Sequence, residues 1–342
     1  MDNAEIIRTA IKGSEAITAK GRERTIIENR FGLNKQKQTL EEIGDRLGIT
    51  RERVRQLEKA VLIRLRIAAE DGKIKALAPA EKLIIRHLIE MGRVARVNEL
   101  ATKIYKHKPS PTEKAAFLFL AEISPLLTFV SENYHYYSAI GIAEYGDEKA
   151  LRTRVAEIEQ CLKSAKKPLN IEELDAKLDY EHPMLITAIA KISKQLAFLN
   201  GYWGLSRWSS VNPKNIRDKI AVILEQHKKP MHFTQIAQAI KESEFKRRDV
   251  TLQAVHNELI KDPRFILVGR GTYALAKWGY EKGTVAEVIT RILVKAGDNG
   301  LSRKEIVKRV LKVRKVKETT ILLNLQNKKL FRRVEDDIYI LA

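Results

Sequence analysis

The chain has 342 residues, 44% hydrophobic, 31% charged and 6% aromatic, with a formal net charge of +20. A chain of this length divides into several domains with small cores. No apolar run approaches the roughly 18 residues of a membrane span, residues 1–20 lack the apolar centre of a secretory signal, and the single Cys161 leaves no partner for an internal disulfide or a cysteine-based zinc site.

The cations are unevenly spread. Residues 1–78 hold 17 Lys and Arg against 12 Asp and Glu, and 79–212 hold 18 against 16. Residues 213–280 hold 13 against 7, and 281–342 hold 15 against 8. Both ends carry the basic excess, as a polyanion-binding chain would. The middle is expected to be a spacer or a protein-binding surface. The expected compartment is the cytoplasm, at the nucleoid.

In chain order, residues 1–38 read as one or two helices, with Ile26, Ile27 and Phe31 at helical spacing. Thr39 with Glu42 three residues on is a capping-box start. Leu40, Ile43 and Leu47 continue that helix, and Gly48 ends it, because a turn at positive φ accepts glycine cheaply. Ile49 turns inward and Thr50 caps a second, longer helix, with Arg53 at its third position. Val54, Leu57, Val61 and Leu65 form the inward stripe of that helix. Arg51, Glu52, Arg55, Gln56 and Lys59 share the opposite face. That face has the chemistry of a major-groove reader. Arg bonds guanine O6 and N7, Gln bonds adenine N6 and N7, and Glu accepts from cytosine N4. Arg53 and Lys59 fall where phosphate contacts are expected. The bland alternative is a solvated face of a protein-binding helix-turn-helix.

RFGL at Arg30–Leu33, TLEEIG, LGITRERVRQLE and the closing RLR resemble region 4 of the sigma-70 family of bacterial transcription initiation factors. The resemblance covers about residues 20–68. It implies a helix-turn-helix that reads an upstream promoter hexamer and grips the flap of the RNA polymerase β subunit. Residue by residue, it implies base reading by Arg51, Glu52, Arg55 and Gln56, and backbone anchoring by Thr39 and Arg53.

A hinge is expected near Asp71-Gly72 to Pro79. Beyond it a weak repeat sets the architecture. Phe129, Phe198, Phe265 and Phe331 each begin a hairpin, and Tyr137, Trp203, Tyr273 and Tyr339 return on its second strand. Turn residues lie between: Glu132-Asn133, Asn200-Gly201, Gly269-Arg270-Gly271 and Asp336-Asp337. The aromatic pairs are expected in cores rather than as base-stacking platforms. Upstream, helices are expected at Lys82–Met91, Leu151–Ser164, Ile216–His227 and Thr284–Ala296. Apolar pairs five apart then start a second helix: Ala95/Leu100, Leu169/Leu174, Met231/Ile236 and Leu301/Ile306. Asn170 with Glu173 and Ser302 with Glu305 resemble capping boxes. Third helices follow at Thr112–Ile123, Pro183–Gln195, Val250–Lys261 and Glu318–Asn327. Three helices and a hairpin make a winged helix. The fold class is therefore mainly α, an N-terminal helix-turn-helix at 1–75 followed by winged-helix units at 79–145, 148–210, 213–280 and 282–342.

HKKPMHFTQIAQAI and TLQAVHNELIKDPRFILVGRGTYALAKWG, within 213–280, look like the HARE-HTH domain. That family includes the N-terminal domain of the bacterial RNA polymerase δ subunit and modules of chromatin-associated proteins. The resemblance implies a winged helix in a transcription or chromatin setting. Lys246, Arg247, Arg248, Arg264 and Arg270 surround its third helix and wing, where phosphates would be gripped. The dense basic run that includes Arg314, Lys315 and Lys317 is a further contact surface or a solvated helix face.

No catalytic or metal site is expected. The seven His are scattered, and His227 and His232 lie five apart with no Cys or carboxylate cluster beside them. Glu41-Glu42 and Asp336-Asp337 are adjacent pairs and make no acid–base dyad. Gly269-Arg270-Gly271 suits a turn better than a phosphate loop. The preferred expectation is a non-enzymatic transcription factor with no cofactor, whose partners are promoter-like duplex DNA and RNA polymerase core. A polymerase-bound adaptor or sigma competitor, and a nonspecific nucleoid protein, are the alternatives.

Overall fold

The structure, a computed structural model, describes residues 2–17, 21–34, 36–335 and 337–342. It separates into two compact bodies, Met1–Arg207 and Trp208–Ala342. Among the described residues these hold sixteen α-helices and four three-stranded antiparallel sheets.

The first body opens with α1 (Asn3–Ile17), α2 (Arg22–Phe31), α3 (Leu40–Leu47) and α4 (Arg51–Glu70). A first winged-helix unit follows: α5 (Leu77–Glu90), β1 (Val94–Arg96), α6 (Val97–Tyr105), α7 (Pro111–Ile123), β2 (Leu127–Val130) and β3 (Ala139–Ile142). The second has α8 (Glu148–Ala165), β4 (Leu169–Asn170), α9 (Ile171–Leu178), α10 (Pro183–Ile192), β5 (Leu196–Leu199) and β6 (Tyr202–Leu205). The second body holds unit three, with α11 (Ile216–His227), β7 (Met231–His232), α12 (Phe233–Glu242), α13 (Leu252–Lys261), β8 (Phe265–Gly269) and β9 (Thr272–Leu275). Unit four has α14 (Val285–Ala296), β10 (Leu301–Ser302), α15 (Arg303–Val313), α16 (Glu318–Leu325), β11 (Phe331–Glu335) and β12 (Ile338–Leu341).

Each sheet has the same order, with the last strand of the unit central: β1-β3-β2, β4-β6-β5, β7-β9-β8 and β10-β12-β11. The short first strand is absent from the sequence expectation. Two or three residues are too few for alternation to register. Its trace is the first member of each apolar pair: Ala95, Leu169, Met231 and Leu301 are strand residues, and Leu100, Leu174 and Ile236 are buried in the helix that follows. The Asn170–Glu173 capping box forms in both directions. At Ser302 only half forms. The hydroxyl accepts the Glu305 N–H, but the Glu305 carboxylate turns to Arg309 at 2.7 Å.

The hinge expected near Asp71-Gly72 to Pro79 is instead a packed turn. Ile74 and Leu77 are buried there. One core joins Ile7 and Ala10 of α1, Ile27 of α2, and Val61 and Leu65 of α4 to Leu88, Phe117, Phe119 and Ile140 of unit one. Phe31 meets Phe119 edge-on at 5.2 Å. Helix α5 begins at Leu77 rather than Lys82, with Pro79 in its first turn, where a missing N–H does little harm.

Of the aromatic pairs, Trp203, Phe265, Tyr273 and Phe331 are buried, and Phe129 and Tyr339 are half-buried. Two depart from the core expectation. Phe198 is 52% exposed and lies across the strand from Trp203, ring centres 5.0 Å apart, so it shields a core ring rather than joining the core. Tyr137 precedes β3 and carries the Arg96 guanidinium 3.9 Å from its ring centre. In the turn pair Asp336-Asp337, Asp336 lies outside the described residues.

Candidate nucleic-acid interface

The helix-turn-helix is α3, the turn at Gly48, and α4. Thr39 and Glu42 close the expected capping box, with Thr39 N–H donating to the Glu42 carboxylate at 2.7 Å. Gly48 has φ +65, and Thr50 Oγ1 accepts the Arg53 N–H at 3.2 Å. A small core of Ile26, Ile43 and Val54 holds the pair, with Leu40, Leu47, Ile49 and Leu57 packed around it. A residue missed in the sequence is Gly44. It is buried, and a Cβ there would sit 2.7 Å from the Ile49 carbonyl, so the crossing of α3 and the turn needs a glycine. Neighbours in sequence serve different cores: Ile26 faces the helix-turn-helix and Ile27 the large core.

Arg51, Glu52, Arg53, Arg55, Gln56 and Lys59 lie on α4, and all six are exposed. Arg53, Arg55, Gln56 and Glu52 form one network around the Glu52 carboxylate. Arg55 donates to both its oxygens, at 2.8 and 2.6 Å, and Gln56 Nε2 lies 3.5 Å from Oε1. Arg53 donates to Gln56 Oε1 at 3.3 Å. Exposed pairs of this kind add little stability. They do hold a planar guanidinium, an amide and a carboxylate side by side, the donor and acceptor set that base edges require. Thr39 is engaged in the capping box at the start of α3. Its backbone N–H and its hydroxyl are both bonded to Glu42, so it sets the start of α3.

The Arg55 hydrogen bonds hold the Glu52 carboxyl below the usual carboxylate range. The sign follows from the lowered value. The carboxylate and its pairing are fully present above the ordinary value of about 4.3 and are lost only as pH falls through the lowered one. Site preference is therefore expected to be the same at pH 5.5 and pH 8, checked by competition between two duplexes at both pH values. A preference that changes between them would mean that another titrating group does the reading.

The third helices divide into two kinds. In unit one, α7 is buried nearly all round, with Phe117, Phe119, Leu120 and Ile123 in the large core. In unit two, α10 buries Leu185, Ile186, Ala188, Ile189, Ala190 and Ile192. The wing of unit one closes over its end. Tyr137 N–H donates to the Ile192 carbonyl at 2.9 Å, Lys194 N–H to the His135 carbonyl at 2.7 Å, and Lys194 Nζ to Glu132 at 2.9 Å. In unit three, α13 exposes Leu252, Gln253, Ile260 and Lys261. Gln253 is bonded to Asn257 at 2.9 Å; the pair was not singled out in the sequence, and its signal is the four-residue spacing. In unit four, α16 exposes Glu318, Thr319, Thr320 and Leu323.

The expected secondary cations also sort themselves. Lys246, Arg247 and Arg248 are exposed in the loop before α13. Buried Lys219 pins that loop by donating to the Arg247 carbonyl at 2.6 Å. Arg270 is exposed at the wing turn, and Lys315 and Lys317 are exposed between α15 and α16. Two of these cations are already engaged within the chain. Arg264 is held by Asp262 at 2.8 Å and Asp218 at 3.1 Å. Arg314 is only 7% exposed and donates to the carbonyls of Leu267 and Glu281, so it is a structural bridge. Sequence shows a charge but not whether a neighbouring carboxylate or carbonyl consumes it.

Among the described residues, no group of three His, Cys, Asp or Glu could hold a metal ion, and no helix is long and apolar enough to cross a membrane. Ile63 and Ile67 are exposed on α4 beyond Lys59. In comparison with known families, residues 20–66 match the model described as Sigma-70, region 4. Residues 217–278 match the HARE-HTH model, whose description includes a restriction endonuclease HTH domain. Both segments are helix-turn-helix domains of DNA-binding type.

Proposed function

We propose that the chain is a transcription factor that reads a short duplex element through Arg51, Glu52, Arg55 and Gln56 of α4 and acts with RNA polymerase in initiation. Arg53 and Lys59 contact the flanking phosphates. In this reading the chain has five modules, the helix-turn-helix at 1–75 and winged-helix units at 79–145, 148–210, 213–280 and 282–342. Units three and four grip backbone phosphates, and units one and two brace the first module. It works at the nucleoid by binding, without chemistry or cofactor.

The observation that carries this is the coincidence of charge with open helices. Third helices are covered where the chain is nearly neutral and open where cations exceed anions, as a phosphate-binding surface requires. The region 4 match supports a polymerase partner, with the β flap as its contact.

The covered α10 and the exposed Ile63 and Ile67 favour a second reading, an adaptor whose helix-turn-helix binds protein. Co-elution of the full chain with bacterial RNA polymerase core, with and without a promoter duplex, tests the polymerase part. Co-elution in both conditions is expected. No co-elution in either would remove polymerase from the proposal and leave duplex reading alone.

A further inference from the structure

We propose that units three and four grip duplex DNA as one continuous surface, with Arg270, Lys315 and Lys317 meeting backbone phosphates across the junction between them. This rests on the reading of those two units as phosphate-binding.

The two units are joined by a clasp. Arg314, buried, reaches from the end of α15 to the carbonyls of Leu267 on β8 and Glu281. Next to it, the Lys315 N–H donates to the Val268 carbonyl at 3.0 Å. Segment 314–315 thus runs against the free edge of β8, the outer strand of its sheet. An unpaired strand edge is a ready acceptor for such an addition. Gly269 makes the approach possible. A Cβ there would lie 2.6 Å from the Lys315 carbonyl oxygen, too close without a backbone shift.

The clasp fixes where charges fall. The Lys315 carbonyl abuts Gly269, and Arg270 is the next residue, so exposed cations from two different units stand on adjoining backbone. Lys317 follows two residues on. Like charges are placed together at a cost, which a polyanion offsets. Arg314, the buried cation of the run, is the residue that holds the junction shut.

The test uses the full chain and a labelled duplex of random sequence, so that base reading by α4 does not enter. The slope of log affinity against log salt counts phosphates neutralised, about 0.9 each. Arg270→Ala/Lys315→Ala is expected to lower that slope by about 1.8, while Lys149→Ala/Lys177→Ala, exposed in unit two, leaves it unchanged. Gly269→Ala keeps every cation and has no positive φ to satisfy, yet it is expected to lower affinity and slope by opening the clasp. An unchanged slope for Arg270→Ala/Lys315→Ala overturns the phosphate contact. Wild-type binding by Gly269→Ala, with melting checked to show the fold intact, overturns the single surface. Either result leaves promoter reading by α4 untouched, and failure of that reading leaves this slope comparison valid.

Discussion

Replacing Arg55 and Gln56 together by alanine is expected to lower affinity for the preferred duplex by roughly 30-fold or more, since each bidentate base contact is worth about 1 to 3 kcal/mol of discrimination. Affinity for random duplex should change far less, because only one cation is lost and Arg53 and Lys59 remain. Neither side chain touches the core of Ile26, Ile43 and Val54, so the fold should persist. The change also frees Glu52 from its pairing. Competition binding against a random duplex at fixed salt measures both effects. Equal losses on preferred and random duplexes would mean that α4 contributes charge and not sequence reading.

The second large effect is expected at Phe119. Its side chain is fully buried, in the core shared by the helix-turn-helix and unit one, and its ring meets Phe31 of α2 edge-on. Phe119→Ala should cost about 3 to 5 kcal/mol, the range for a large aromatic truncated in a closed core. The informative part is where the loss appears. A shared core predicts that amides of α2 and α4 lose hydrogen-exchange protection together with those of α5 and α7. Loss confined to α5–α7 would restore the hinge that the packed turn at Ile74 and Leu77 argues against.

That hinge shows what the sequence could carry and what it could not. Asp71-Gly72 to Pro79 has the composition of a linker, and composition is blind to Ile74 and Leu77 turning into a core built from helices on both sides. The helix-turn-helix was legible almost in full. Its caps, its Gly48 turn and its inward stripe are local signals, acting over three or four residues. The fourfold repeat was legible from the hairpins, because alternation and turn residues are local too. The first strand of each unit was not, as its partners lie far along the chain. Arg314 and Arg264 mark the same limit in the site. Each reads as a cation available to phosphate; Arg314 is held by carbonyls of the neighbouring unit, and Arg264 by nearby Asp262 and by Asp218, remote in sequence. Gly269 carried a turn signal, whereas its contact with Lys315 depends on a junction that no local pattern announces.

Selection of bound sequences from a random duplex library at about physiological salt, where screening weakens attachment by charge alone, tests duplex reading most directly. Recovery of one short motif, lost when Arg55 and Gln56 are both alanine, is the expected result. Recovery of no motif, with binding that vanishes as salt rises, would contradict sequence reading by α4 and leave a chain that holds nucleic acid by charge.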